Sequence, residues 1–293
     1  VDFFFDDHQN LRAGWRIAVF LAMLVAAYFV VGSIALLVGA DALSGGGWGA
    51  LFVPLSLELA AVVLATAVAT AATERRSLGD VGFGLHAGWF RHAMYGLAFG
   101  SALLATAALP VALFGATDVE AQSPSTGFVA AFAFFAIAAA HEELLCRGFV
   151  FQALVSGLGA RWATILTSAV FAALHMRNPN FSGLAMATTF AAGVLFAIAY
   201  LRTRSLWLAT GAHLGWNFSM GSILGMPVSG LRFFGEAAPL HTTIGEPMWL
   251  TGGPYGPEAG AAALVVVSAG CALLARIPLP GAKSDHGRPV AMR

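Results

Sequence analysis

Charge is what this sequence has least of. Asp, Glu, Lys and Arg make up 10% of its 293 residues, against about 25% in an ordinary soluble chain. That excludes the densely charged surface of a soluble globular domain. Net charge is zero, which removes the basic footprint that a nucleic-acid partner needs. Lysine is nearly missing: Lys283 stands alone against fourteen arginines. With abundant Ala and Gly, that bias points to a GC-rich bacterial genome. Cysteine is scarce too. Cys146 and Cys271 lie in different apolar segments with no CxxC spacing, so neither a disulfide framework nor a cysteine metal knuckle is expected. There is no internal repeat and no separate soluble domain. No cleavable signal peptide is expected, because the first apolar run is too long for an h-region and no small-residue cleavage site follows closely.

Apolar residues, 58% of the chain, arrive in long blocks separated by short polar ones, the pattern of an integral membrane protein. A window of about 20 residues gives eight helices, roughly over 16–39, 51–73, 92–115, 127–155, 162–176, 183–201, 205–222 and 259–275. Arginine placement agrees with the count. Arg12, Arg16, Arg75, Arg76, Arg91, Arg161, Arg202, Arg204, Arg276, Lys283, Arg288 and Arg293 fall on one side. Arg177 and Arg232 fall on the other, with Asp41, Asp118, Glu120, Glu236, Glu246 and Glu258. The positive-inside rule then makes both termini cytoplasmic. The expected fold is all-α, a polytopic transmembrane bundle of about eight helices in the inner (plasma) membrane. Residues 1–276 form a single integral membrane domain and 277–293 a disordered cytoplasmic tail. A long outer loop, 225–258, either caps a site or simply hugs the interface.

Within the apolar run from Phe128 to Val155, one heptad breaks the rule: His141-Glu142-Glu143-Leu144-Leu145-Cys146-Arg147. A charge near the centre of a bilayer costs roughly 2.5–3.5 kcal/mol on insertion scales. Ionisable residues at that depth are functional candidates by default. Glu143 and Arg147 are i,i+4 partners and can neutralise each other on one helix face. Glu142 points about 100° away and stays available. On the next helix Phe171 and His175 share a face, and further on His213 and Asn217 do the same, with Trp216 beside them. Counted from Ser156, Arg161 and Arg204 at ~1.5 Å per residue, Glu142 and His175 each stand ~21 Å into the membrane, His213 ~14 Å and Asn217 ~20 Å. Side chains from three helices therefore converge on one depth. Taken singly, each has a plainer reading. His175 is an interfacial histidine, His213 and Asn217 are helix-to-helix glue, and Gly211 with Gly215 is a common packing motif. His141 has no evident role.

Such a set supports hydrolysis. A carboxylate beside an imidazole can hold a water and take its proton, while a second imidazole with an amide can donate to an oxyanion. Glu142, His175 and His213 also suit zinc with a fourth position open to water. Leu145 sits where an HExxH helix needs its second histidine, so the zincin arrangement is excluded.

These residues resemble the three motifs of the CAAX protease and bacteriocin-processing (Abi) family of intramembrane proteases, related to type II CAAX prenyl endopeptidases. Glu142-Glu143-Leu144-Leu145-Cys146-Arg147 matches Glu-Glu-x-x-x-Arg, and Gly148 follows as it often does there. Phe171 to His175 matches Phe-x-x-x-His, and His213 to Asn217 matches His-x-x-x-Asn. The resemblance covers roughly 126–222. It implies an endopeptidase in which Glu142 and His175 activate water, and His213 with Asn217 forms the oxyanion hole. Glu143, Arg147 and Phe171 would give structural support. The family has been described both as metallo- and as metal-free glutamate proteases, and the same residues serve either scheme. Cys146 takes a position often aromatic in the family. The implied partners are the lipid bilayer and a membrane-associated peptide or protein substrate. Rival readings are a non-catalytic scaffold or immunity protein that keeps the fold, and an ion-coupled transporter. The lack of repeats and of broken helices in paired positions counts against transport.

Overall fold

In lipid, peptide groups must bond to one another, so long apolar runs close into helices. The structure, a computed structural model, describes residues 3–5, 11–39, 47–114, 117–123, 127–232 and 237–279. The expected tail beyond residue 279, and Asp41, Glu236, Lys283, Arg288 and Arg293 in the charge asymmetry, lie outside them. Eight helices of twelve residues or more follow in order: α1 Ala13–Val38, α2 Trp48–Glu74, α3 Trp89–Leu113, α4 Gly127–Arg147, α5 Phe149–Leu174, α6 Gly183–Thr203, α7 Trp207–Phe218 and α8 Ala261–Arg276. Among the described residues five stretches are long and apolar enough to cross a membrane: Ala13–Leu37, Trp48–Glu74, Trp89–Leu113, Gly127–Arg177 and Gly183–Thr203. α8 is a shorter apolar helix, and α7 runs on through a π-helical segment, Ser219–Ile223. The outward faces are apolar as well. Val25, Phe29, Leu36 and Leu37 of α1 are all more than 70% exposed, a surface suited to lipid and not to water.

The stretch expected as one helix over 127–155 is broken. Gly148 leaves helical geometry (φ −73°, ψ −127°) between α4 and α5. A second break at Gly159 (φ 81°, ψ 163°) divides α5, and only glycine takes that conformation without strain. The chain reverses there. Glu142 faces His175 and Arg147 faces Phe171, two pairs both centred on residues 158–159. The turn expected between Ser156 and Arg161 is therefore at Gly159.

The closest helix pair is α3 with α7. Gly96 and Gly100 meet Gly211 and Gly215 across it; a Cβ at Gly100 would stand 1.9 Å from the Ala212 carbonyl, and one at Gly211 2.2 Å from that of Ala93. Small residues spaced by four let the backbones touch, as association in lipid favours. This contact sets the depth and rotation of α7, which carries His213 and Asn217.

One end of the bundle gathers cations. Arg16 bridges to Glu74 at 2.8 Å and bonds Ser156, and Arg76 also meets Glu74 at 2.9 Å. Arg202 bonds the carbonyls of Leu274 and Ile277. At the other end the helical bundle carries one short ribbon: β1 Thr117–Ala121 pairs antiparallel with β2 Leu240–Ile244, Val119 opposite Thr242. This short ribbon ties the long outer loop to the α3–α4 connection. Neither strand has a hydrophobic alternation strong enough to announce itself in sequence.

Candidate active site

α4 places Glu142 and Glu143 little more than one turn from its C-terminus, and Arg147, its last residue, falls one turn below Glu143. Glu143 and Arg147 are both fully buried. Arg147 Nη1 donates to Glu143 Oε1 at 3.2 Å, and Nη2 donates to the Gly193 carbonyl at 3.1 Å. Its guanidinium lies 4.4 Å above the Phe171 ring and 5.3 Å from that of Phe196. An ion pair so enclosed holds only with this kind of partner set.

α5 ends at His175 because Pro179 holds Asn178 extended (φ −70°, ψ 145°) and denies it helical geometry. His175 Nδ1 lies 2.8 Å from the Phe171 carbonyl. A carbonyl can only accept, so Nδ1 carries the hydrogen and Nε2 of the neutral ring presents a bare lone pair. On α7, His213 Nδ1 lies 3.0 Å from Glu143 Oε1. That carboxylate, already ionised against Arg147, also only accepts, so Nε2 of His213 is bare by the same logic. The His213 ring stacks on Phe196 at 4.8 Å, 16° from parallel.

Both bare nitrogens face Glu142. Its Oε2 lies 4.0 Å from His175 Nε2 and 3.8 Å from His213 Nε2, and no hydrogen bond reaches it. The Glu142 side chain is 32% exposed to the space around it. Three lone-pair acceptors thus converge with no donor among them. A water gives its two hydrogens to two of the three, and a buried water needs two to four polar partners.

A cation would satisfy the same lone pairs, and each histidine is oriented through its other nitrogen as metal ligands are. The spacing is too wide. Ligands 2.0–2.1 Å from a tetrahedral zinc stand ~3.3 Å apart, and among the described residues no group of three His, Cys, Asp or Glu side chains closes to hold a metal. The set as arranged does not fit zinc. Cys146 and Cys271 are free thiols.

The three residues open onto a cavity of about 750 Å³, and Asn217, Cys146 and Phe171 line it too. Sequence reasoning brought Glu142, His175, His213 and Asn217 to one depth; the structure brings them to one cavity wall. It also adds residues that reasoning missed. Glu58 of α2 and Tyr28 of α1 line the same space. Glu58 is a charge inside an apolar run, the criterion that singled out Glu142, and was passed over. His141, set aside, lines the cavity with Nε2 buried and unbonded. The outer loop enters as well. Glu258 Oε1 accepts from Trp216 Nε1 at 3.2 Å, and Oε2 accepts from the backbone and hydroxyl of Ser229, both at 2.7 Å. Glu258 and Ser229 are on the cavity wall, so the loop caps the site.

Residues 124–219 match the family model of type II CAAX prenyl endopeptidase Rce1-like proteins. Through that segment the chain is similar to the CAAX protease family. No curated protein and no solved structure matches it. The matched segment holds α4 to α7, which carry both carboxylates, both histidines and Asn217. α1, α2 and α3, the outer loop and α8 lie outside it, although they supply Tyr28, Glu58 and Glu258 to the cavity. The match supports protease chemistry at the level of the family. The roles of individual side chains rest on geometry.

Proposed function

We propose that this protein is an intramembrane endopeptidase that hydrolyses a peptide bond of a membrane-associated peptide or protein. The observation that carries the reading is the convergence of Glu142 Oε2, His175 Nε2 and His213 Nε2 on one point, with no hydrogen bond reaching Glu142 Oε2. A water held there gives one proton to Glu142 as its oxygen adds to the carbonyl carbon, and the carbonyl π pair moves to oxygen. His175 fixes the water's second hydrogen. When the tetrahedral adduct collapses, the C–N bond breaks and Glu142 returns its proton to the leaving amine.

The oxyanion needs donors. Asn217 supplies an amide N–H in any protonation state. His213 supplies Nε2–H only as imidazolium, because its Nδ1 hydrogen is committed to Glu143. The active form therefore carries one more proton than the neutral rings would. The enzyme is metal-free in this reading. It sits as one integral membrane unit over residues 1–276, with eight spans, in the inner membrane of a bacterial cell. The cation-rich end that includes Arg16, Arg76 and Arg202 is cytoplasmic, as the positive-inside rule favours.

Purified Glu142→Gln protein tests the reading. The expected result is loss of cleavage of a reporter peptide in micelles with an unchanged melting curve, while wild-type turnover survives a chelator. Normal turnover by Glu142→Gln refutes the catalytic assignment. Loss of wild-type activity on chelation, restored by added zinc, refutes the metal-free form.

A further inference from the structure

The cavity is one-sided in charge. Glu58, Glu142 and Glu258 line it, and among the described residues no Lys or Arg does. Glu142 belongs to the proposed chemistry, and both oxygens of Glu258 are occupied by Trp216 and Ser229. Glu58 is different. It is exposed on α2 and makes no hydrogen bond or ion pair with a described residue, its electrostatic neighbour being the Tyr28 phenol. An unpaired carboxylate inside a membrane span is costly, and such residues are kept for function.

Its level in the bundle follows from packing. Phe52 of α2 meets Phe134 of α4 with ring centroids 5.8 Å apart, and Val62 packs in one cluster with Leu144 and Leu145. The two helices therefore run parallel, and Glu58 stands level with Ala140 and His141. His141 Nε2, buried and unbonded, opens to the same cavity. Glu58 of α2 and Tyr28 of α1 thus form one wall, and α2 stands a helix spacing of ~8–10 Å from the axis of α4, which carries His141 and Glu142. An extended peptide rises ~3.3 Å per residue, so this wall lies two to three residues along a chain whose scissile bond is at Glu142.

We propose that Glu58, supported by Tyr28 and His141, is a subsite for a basic side chain of the substrate. The substrate is then a membrane-associated peptide with Lys or Arg two to three residues from the cleaved bond. The inference rests on the peptidase reading above. It also agrees with the lining, where among the described residues no Lys or Arg stands to hold a free C-terminal carboxylate, which suits cleavage within a chain. Anionic groups are repelled by all three carboxylates.

The test uses micellar peptides differing at one scanned position, Lys against norleucine, which keeps the aliphatic stem and loses the ammonium. Wild-type protein is expected to prefer Lys by about tenfold or more in kcat/KM at the matching position. Glu58→Gln should bring the ratio to about one while leaving norleucine-peptide turnover unchanged, and Glu58→Lys should favour a Glu-bearing peptide. A preference kept by Glu58→Gln, or absent from wild type, overturns the subsite. If wild type cleaves neither peptide, the peptidase reading fails separately. Fluorescence anisotropy of the labelled Lys and norleucine peptides on Glu142→Gln protein then decides the subsite, equal binding refuting it.

Discussion

Replacing Arg147 with Met would strand the Glu143 carboxylate in a place with no water. In the native protein Glu143 Oε1 takes hydrogen bonds from Arg147 and His213 while Oε2 has no partner. Removing one member of a fully buried ion pair costs about 3–5 kcal/mol, most of it the charge left behind. His213 can offset part of this by holding a second proton, which places the cost near the lower end. For a chain of this size, about 3 kcal/mol lowers Tm by roughly 6–12 °C. Glu143→Gln in the same protein removes the stranded charge yet still accepts from His213 Nδ1. The double variant should therefore regain more than half of the loss. Cys146 and Cys271 are free thiols, Cys146 buried, so a thiol-reactive dye reports unfolding in detergent without further labels. The four melting curves form a double-mutant cycle. Additive losses, with the double variant no better than Arg147→Met, would refute the claim that the pair is one electrostatic unit.

Gly100→Ala ought to lower Tm and slow cleavage together, since the added methyl meets the Ala212 carbonyl and pushes away the helix that carries His213 and Asn217. Overpacking of this kind costs about 1–3 kcal/mol, against a gain of ~1 kcal/mol from helix propensity; a stabilised variant contradicts the contact. In the outer loop, burial and the nearby Glu258 carboxylate push the Tyr255 phenol up to about 12 from 10.0. Its hydroxyl stands among Ser229, Thr189 and Asn178 without a well-formed hydrogen bond. Folding favours the neutral phenol, so loop stability is intact below pH 10.0 and declines as pH rises toward 12. The difference in phenolate absorbance between wild type and Tyr255→Phe should titrate near 12; titration at the ordinary value argues against a buried loop.

Much of the site was legible before any coordinates. Charges in an apolar run identify themselves through the cost of desolvation, and i,i+4 spacing alone separated the Glu143–Arg147 pair from Glu142. The three-helix depth match worked because the rise of a helix is constant. It failed to foresee Gly148, since a break that does not end the apolar run leaves the hydropathy pattern unchanged. Glu58 was missed for another reason. It has no polar neighbour within helical reach, and only packing shows that it stands level with His141. Glu258 was assigned to the outer surface by its loop, and its bonds to Trp216 and Ser229 depend on how that loop folds back.

The sequence by itself determined the solvent, the helices, and which side chains are too costly to be incidental, because each of these follows from transfer free energies and a periodic backbone. Only the tertiary structure decided what those side chains do to one another. It turned both histidines through their Nδ1 partners, Phe171 and Glu143, so that two lone pairs and the Glu142 carboxylate meet at one point. It also opened that point to a cavity walled by α1, α2 and the outer loop. Tautomers and distances of this kind are set between helices far apart in the chain, where the pattern along any one of them carries no information.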